Sequence, residues 1–122
     1  MSKIIENLKN RAKQNKKTIV LPESMDKRVL EATKKIYSEN IADIILIGKE
    51  SEIKRLSPSL DISSLTIIDP ETSTYTEKFI NDLYELRKEK GMTKEQAKDL
   101  LLNDYMYFAC MLVKNNQADG VV

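Results

Sequence analysis

The 122-residue sequence has no histidine, no tryptophan, one cysteine, three glycines and three prolines. The missing histidine excludes the most chemistry. It removes Ser-His-Asp and Cys-His arrangements, any imidazole general base, and every His-containing zinc site. A single cysteine forms no internal disulfide, which fits a reducing compartment. Gly48, Gly91 and Gly120 are the only glycines. They lie too far apart for G-x-G-x-x-G or a P-loop, both of which need closely spaced glycines to bring backbone amides to phosphate. Charge of one sign is also lacking: 20 Lys+Arg stand against 19 Asp+Glu, a formal +1. No overall field draws the chain toward nucleic acid or a membrane surface. The greasiest segment, Leu100 to Val113, is interrupted by Asn103 and Asp104 and falls short of the roughly 20 residues a membrane span needs. The start, Met1-Ser2-Lys3-Ile4-Ile5-Glu6-Asn7, has no long apolar core of the signal-peptide kind. A cytoplasmic protein is expected.

What is present is ordinary globular composition, 41% hydrophobic and 32% charged, enough for one domain with its own core. Ile4, Ile5, Leu8 and Ala12 recur at helical steps within Ser2–Lys13. The β-branched run Thr18-Ile19-Val20-Leu21, stopped by Pro22, predicts a strand. A helix over 26–39 places Val29, Leu30, Thr33, Ile36 and Tyr37 on one stripe. Ile44-Ile45-Leu46-Ile47, closed by Gly48, suits a strand covered on both faces. A short helix over 51–56 and a third strand over 65–68 follow, the latter ended by Asp69-Pro70. Thr74-Tyr75-Thr76-Glu77 has capping-box spacing and opens a helix running to Lys90, with Gly91 as its stop. Thr93-Lys94-Glu95-Gln96 is a second capping box. The segment from Asp104 to Lys114 is apolar almost all round, so a helix buried on several sides is expected there. Val121-Val122 resembles the opening of a strand cut before it pairs, so the chain reads as a fragment. This alternation predicts a doubly wound, three-layer α/β/α fold with a mainly parallel sheet.

Few residues carry a chemical signal. Cys110, in the apolar helix with no cation nearby in sequence, reads as an inert buried thiol. The first 17 residues hold six cations against Glu6, and with no aromatic residue interleaved they read as a solvated helix face. No set of metal ligands is present. Arg87 follows Phe79, Ile80, Leu83 and Leu86 on what the spacing makes the inward face of its helix, with Lys90 three residues on. Two readings stay open: a C-terminal helix cation or buried ion pair, and a phosphate clamp suited to the planar guanidinium. Glu23, just past the first strand, either charges the entrance of the next helix or faces the strand-end crevice where open α/β sheets bind ligands. The structural role is favoured.

The ordered set Thr18-Ile19-Val20-Leu21-Pro22-Glu23 with Asp26, Arg28 and Ala32, then Ile41-Ala42-Asp43-Ile44-Ile45-Leu46-Ile47-Gly48 and Ile67-Ile68-Asp69-Pro70, continues into Leu83-Tyr84-Glu85-Leu86-Arg87-Lys88-Glu89-Lys90-Gly91-Met92-Thr93, Tyr107-Phe108-Ala109 and Ala118-Asp119-Gly120-Val121-Val122. Along nearly its whole length the chain resembles the N-terminal part of the phosphate acetyltransferase (phosphotransacetylase) family. The resemblance implies a longer protein, usually dimeric, with two α/β domains around a cleft in a fold shared with isocitrate and isopropylmalate dehydrogenases. Residues 1–122 would be its incomplete first portion, with the catalytic Ser, Arg and Asp segments past Val122 and no catalytic residue here. It implies reversible acetyl transfer between coenzyme A and phosphate, with acetyl phosphate as the other partner and no permanently bound cofactor or metal. Arg87 matches an arginine implicated in holding coenzyme A; Lys90 and Glu23 fall near the cleft by position. Phosphate butyryltransferase-like acyl transfer and a non-catalytic α/β interaction module are the alternatives.

Overall fold

In the computed structural model, residues 3–7 and 17–122 are described. The chain alternates strands and helices: β1 (Thr18–Leu21), α1 (Lys27–Ser38), β2 (Asp43–Ile47), α2 (Glu50–Leu56), β3 (Thr66–Ile68), α3 (Thr76–Arg87), α4 (Lys94–Asn103), α5 (Tyr105–Lys114) and β4 (Gly120–Val121). Short 3₁₀ turns at Ile62–Ser64 and Lys88–Lys90 complete the path. The sheet order is β3-β2-β1-β4 and all three pairings are parallel.

Strand alternation divides the core in two. Ile19 and Leu21 of β1 and Ile44 and Leu46 of β2 face one side with Leu30, Ile36, Ile53 and Ile5. Val20, Ile45 and Ile47 face the other, against Phe79, Leu83, Ala97, Leu101, Phe108 and Leu112. Helices thus cover both faces, as the apolar strand runs require. Phe79 anchors the second side, stacked on Tyr75 at 5.5 Å and edge-on to Phe108 at 5.0 Å between ring centroids.

Local chemistry sets the helix ends. Asp26 accepts from the Arg28 amide at 2.9 Å, and Asp104 from Met106 at 3.1 Å, each capping the helix that follows. With little glycine available, asparagine closes two helices in the left-handed region: Asn40 at φ 53 and Asn116 at φ 61. After each, an amide reaches back five residues, Ile41 to Ile36 and Gln117 to Leu112. Gly91, at φ 89, makes the same closure after α3, with Met92 N bonded to Arg87 O.

Several expectations need correction. Thr74 forms no capping box: α3 starts at Thr76 after Tyr75, which makes no side-chain cap. The nearby hydroxyls are spent on the preceding turn instead, Ser73 Oγ accepting from Tyr75 N at 3.1 Å and Thr76 Oγ1 donating to Pro70 O at 2.5 Å. Tyr37 and Leu86, placed on apolar stripes by spacing, are 48% and 51% exposed, because each helix's last turn runs past the layer it packs on. Cys110 is exposed as well. With Met106 and Lys114 it forms an i, i+4 stripe on α5 that points away from buried Phe108, Ala109, Met111 and Leu112. The Gly120–Val121 strand does pair: Ile19 aligns with Gly120 and Val20 with Val121, and Val122 N donates to Val20 O at 3.1 Å. Most of the basic N-terminal stretch lies outside the described residues.

Candidate functional site

Two places gather residues singled out from the sequence. The first is the hairpin between α3 and α4. Gly91 turns the chain sharply, and the Thr93 capping box starts α4 at once: Gln96 N donates to Thr93 Oγ1 at 3.1 Å while Thr93 N donates to Gln96 Oε1 at 2.9 Å. This short connection lays the first turns of α4 beside the last turn of α3. A depression of about 490 Å³ results, lined by Arg87, Lys90, Met92, Gln96, Asp99 and Leu100 with Gly91 at the turn.

The charges around this hairpin are unevenly committed. Lys88 pairs with Glu85 at 2.6 Å, which raises the lysine's pKa through that hydrogen bond. Lys94 sits over the Tyr84 ring, 5.5 Å from its centroid. Lys78 is held by Asp82 and Asn115 at 2.8 and 2.9 Å. Arg87 and Lys90 have no ion-pair partner among the described residues, and both are exposed. The inward position expected for Arg87 is therefore corrected. The buried face of α3 ends at Leu83, and one turn later the same face opens into the depression. The internal ion pair weighed for Arg87 does not form with any described carboxylate. Two free cations in one depression match the charge of a phosphate monoester.

The second place is the carboxyl edge of the sheet between β1 and β4, where the strand order reverses and open α/β sheets receive ligands. Glu23 is exposed here, on the rim of a cavity of about 290 Å³ whose walls include Leu21, Val29, Ile36, Met106 and Val122. Beside it Asp26 and Arg28 pair at 2.9 Å, and the Arg28 guanidinium holds the Asp26 carboxyl below its usual pKa. Further along this edge Lys49 is clamped by Asp69 at 3.5 Å and by Glu71. Its pKa is raised, chiefly by the Glu71 hydrogen bond. The adjacent Tyr105 phenol is also raised, mainly by burial. Arg87 and Lys90 thus share one depression and Glu23 lies in another. Gln96 and Asp99 were not singled out from the sequence as site residues. Their signal was the three-residue spacing after a tight glycine turn, which puts both on one face of α4.

By its fold the chain is a doubly wound α/β protein with a parallel sheet. Residues 3–122 match the family described as "Phosphate acetyl/butaryl transferase", and the chain belongs to that family. It is 47% identical over 119 residues to the phosphate acetyltransferase of Thermoanaerobacterium thermosaccharolyticum, covering 98% of this chain and 36% of that protein. It is 46% identical over 121 residues to that of Clostridium acetobutylicum, again covering 98% and 36%. Among solved structures, the EutD phosphotransacetylase from Staphylococcus aureus superposes with a TM-score of 0.80 at 34% identity, over 98% of this chain and 36% of that one. A phosphotransacetylase from Streptococcus pyogenes gives 0.81 at 30% identity, over 99% and 37%. The chain spans about a third of the length of these relatives. Among the described residues no helix is long and apolar enough to cross a membrane.

Proposed function

We propose that this chain is the N-terminal portion of a two-domain phosphate acetyltransferase, and that its α3–α4 hairpin anchors the phosphorylated end of coenzyme A. The observation carrying this reading is the pair Arg87 and Lys90, facing one depression and forming no ion pair with a described carboxylate. The reaction is acetyl-CoA + phosphate = CoA + acetyl phosphate. In the direction of thioester synthesis a base takes the thiol proton of coenzyme A, and the thiolate attacks the carbonyl carbon of acetyl phosphate. The C–S bond forms, the C–O bond to phosphorus breaks, and inorganic phosphate leaves. Donors from the rest of the protein steady the oxyanion. Neither a covalent acyl-enzyme nor imidazole is needed.

On this reading Arg87 supplies the planar fork and Lys90 a second point charge, while Glu23 is a rim residue of the reaction cleft at the β1–β4 crevice. The relatives described above are phosphate acetyltransferases by name, which favours acetyl as the group moved. The reading carries with it a cytoplasmic homodimer that holds no permanent cofactor and takes coenzyme A, acetyl phosphate and phosphate as partners. The test is Arg87→Ala in the full-length enzyme. The KM for coenzyme A should rise about tenfold, the lower end for loss of a charge-assisted contact because Arg87 is exposed, while the KM for acetyl phosphate changes little. An unchanged KM for coenzyme A removes Arg87 from the site.

A further inference from the structure

The depression that offers two cations also carries a carboxylate, which a simple phosphate clamp would not tolerate without reason. Asp99 stands in the same lining as Arg87 and Lys90, yet forms no ion pair with either. Its Oδ1 instead accepts from Asn103 Nδ2 at 2.8 Å, and the Asn103 amide also reaches Asp99 O at 2.9 Å. Oδ2 has no hydrogen-bond partner among the described residues. One turn earlier on the same face, Gln96 spends its Oε1 on the capping box. That bond fixes the amide so that Nε2, a donor, is left over. Met92 and Leu100, both half-buried, supply apolar surface between these polar groups.

An acceptor and a donor three residues apart on one helix face, flanked by apolar surface and next to two cations, form a pattern with a specific complement. Adenine presents an amino donor beside a ring-nitrogen acceptor on its Watson–Crick edge, and a face that packs on apolar side chains. We propose that Asp99 and Gln96 read the adenine of the nucleotide whose phosphate Arg87 and Lys90 hold, Asp99 accepting from the exocyclic amine and Gln96 Nε2 donating to the ring nitrogen. The volume of about 490 Å³ lies within the range of small-molecule sites. This inference rests on the coenzyme A reading above and assigns that site its base specificity.

Hypoxanthine reverses the pattern, presenting a carbonyl to Asp99 and an N–H to Gln96, so a site built for adenine rejects it. The experiment is calorimetric titration of the full-length enzyme with three probes: coenzyme A, its hypoxanthine analogue, and dephospho-coenzyme A lacking the 3′-phosphate. The unaltered protein should bind coenzyme A about tenfold more tightly than the hypoxanthine analogue. In Asp99→Asn, whose amide can donate to the carbonyl, that preference should shrink to about threefold or less. Preference for coenzyme A over dephospho-coenzyme A should survive in Asp99→Asn and shrink in Arg87→Ala, where Lys90 alone remains to hold the phosphate. Equal affinity of the unaltered protein for the adenine and hypoxanthine forms overturns the base assignment and leaves the phosphate reading intact. A full preference retained in Asp99→Asn overturns it too. Equal binding of coenzyme A and dephospho-coenzyme A instead overturns the phosphate reading on which the inference stands.

Discussion

Replacing Gly48 by alanine puts the construction of the sheet's carboxyl edge to the test. Gly48 closes β2 at φ +151, a backbone conformation that residues with a Cβ rarely adopt. An added Cβ would lie 2.5 Å from Ser24 Oγ, closer than real Cβ contacts come, and 3.6 Å from both Ile53 Cδ1 and Tyr105 Cε2. The hydroxyl cannot swing away freely, because Ser24 is fully buried and donates to Ile47 O. Backbone strain of this kind costs about 1–3 kcal/mol, and forcing a methyl into a packed site costs about 1–3 kcal/mol more. Gly48→Ala should therefore destabilise by about 2–6 kcal/mol, read from the urea midpoint at constant slope. Repeating the substitution in a Ser24→Ala background separates the two contributions, since neighbours in contact are not additive. There the steric part should disappear and about 1–3 kcal/mol remain. A loss below about 1 kcal/mol in the parent protein, or the same loss in both backgrounds, refutes the reasoning.

Thr93→Ala removes one half of the reciprocal cap on α4 and should cost about 1 kcal/mol by thermal unfolding, while Gln96 Oε1 keeps its bond from the Thr93 backbone amide. An unchanged transition temperature would mean that tertiary packing alone holds the start of α4. Tyr105 and Lys49 both have pKa values above their usual 10.0 and 10.5, so the folded state keeps protons that the unfolded chain releases. Stability from these groups is complete below pH 10 and declines as the pH rises past the unfolded values. Ultraviolet titration should find one of the five tyrosines ionising late, and Tyr105→Phe should abolish that late step; survival of the step assigns it elsewhere.

The layered α/β architecture was legible because it rests on period and composition. Ile44 to Ile47 is apolar without alternation, which only a strand covered on both faces can accommodate, and its residues divide between the two cores. The Thr93 cap was legible because both partners are four-residue neighbours. Thr74 shows the limit of that rule: the same spacing forms no cap where Ser73 and Thr76 hydroxyls are taken by the loop. Periodicity also cannot tell where a helix outruns its support. Leu86 and Arg87 continue the stripe of Leu83 but lie beyond the core, and Cys110 falls on a stripe of an apolar helix left exposed among the described residues. The position of Arg87 beside Asp99 depends on how two helices meet, which no local pattern encodes.

On the coenzyme A reading, the exposure of Arg87 and Lys90 also bounds the strength of binding at this depression. Surface charge contacts are individually weak and screened by salt, so two of them with a partly exposed base site amount to no more than about 4 kcal/mol, a Kd of about 1 mM. Tighter retention of coenzyme A requires contacts from elsewhere that close over the depression and exclude water, where the same charges gain strength. On the proposed coenzyme A reading the hairpin is an anchor that fixes one end of a long substrate and leaves its thiol to be positioned by other residues. The 122-residue chain alone should bind coenzyme A with a Kd of about 1 mM or weaker, by titration followed with amide chemical shifts, with the shifts centred on residues 87–100 and fading as salt is raised. Micromolar binding by this chain, or shifts centred on Glu23 and Val122, would place the principal site at the β1–β4 crevice instead.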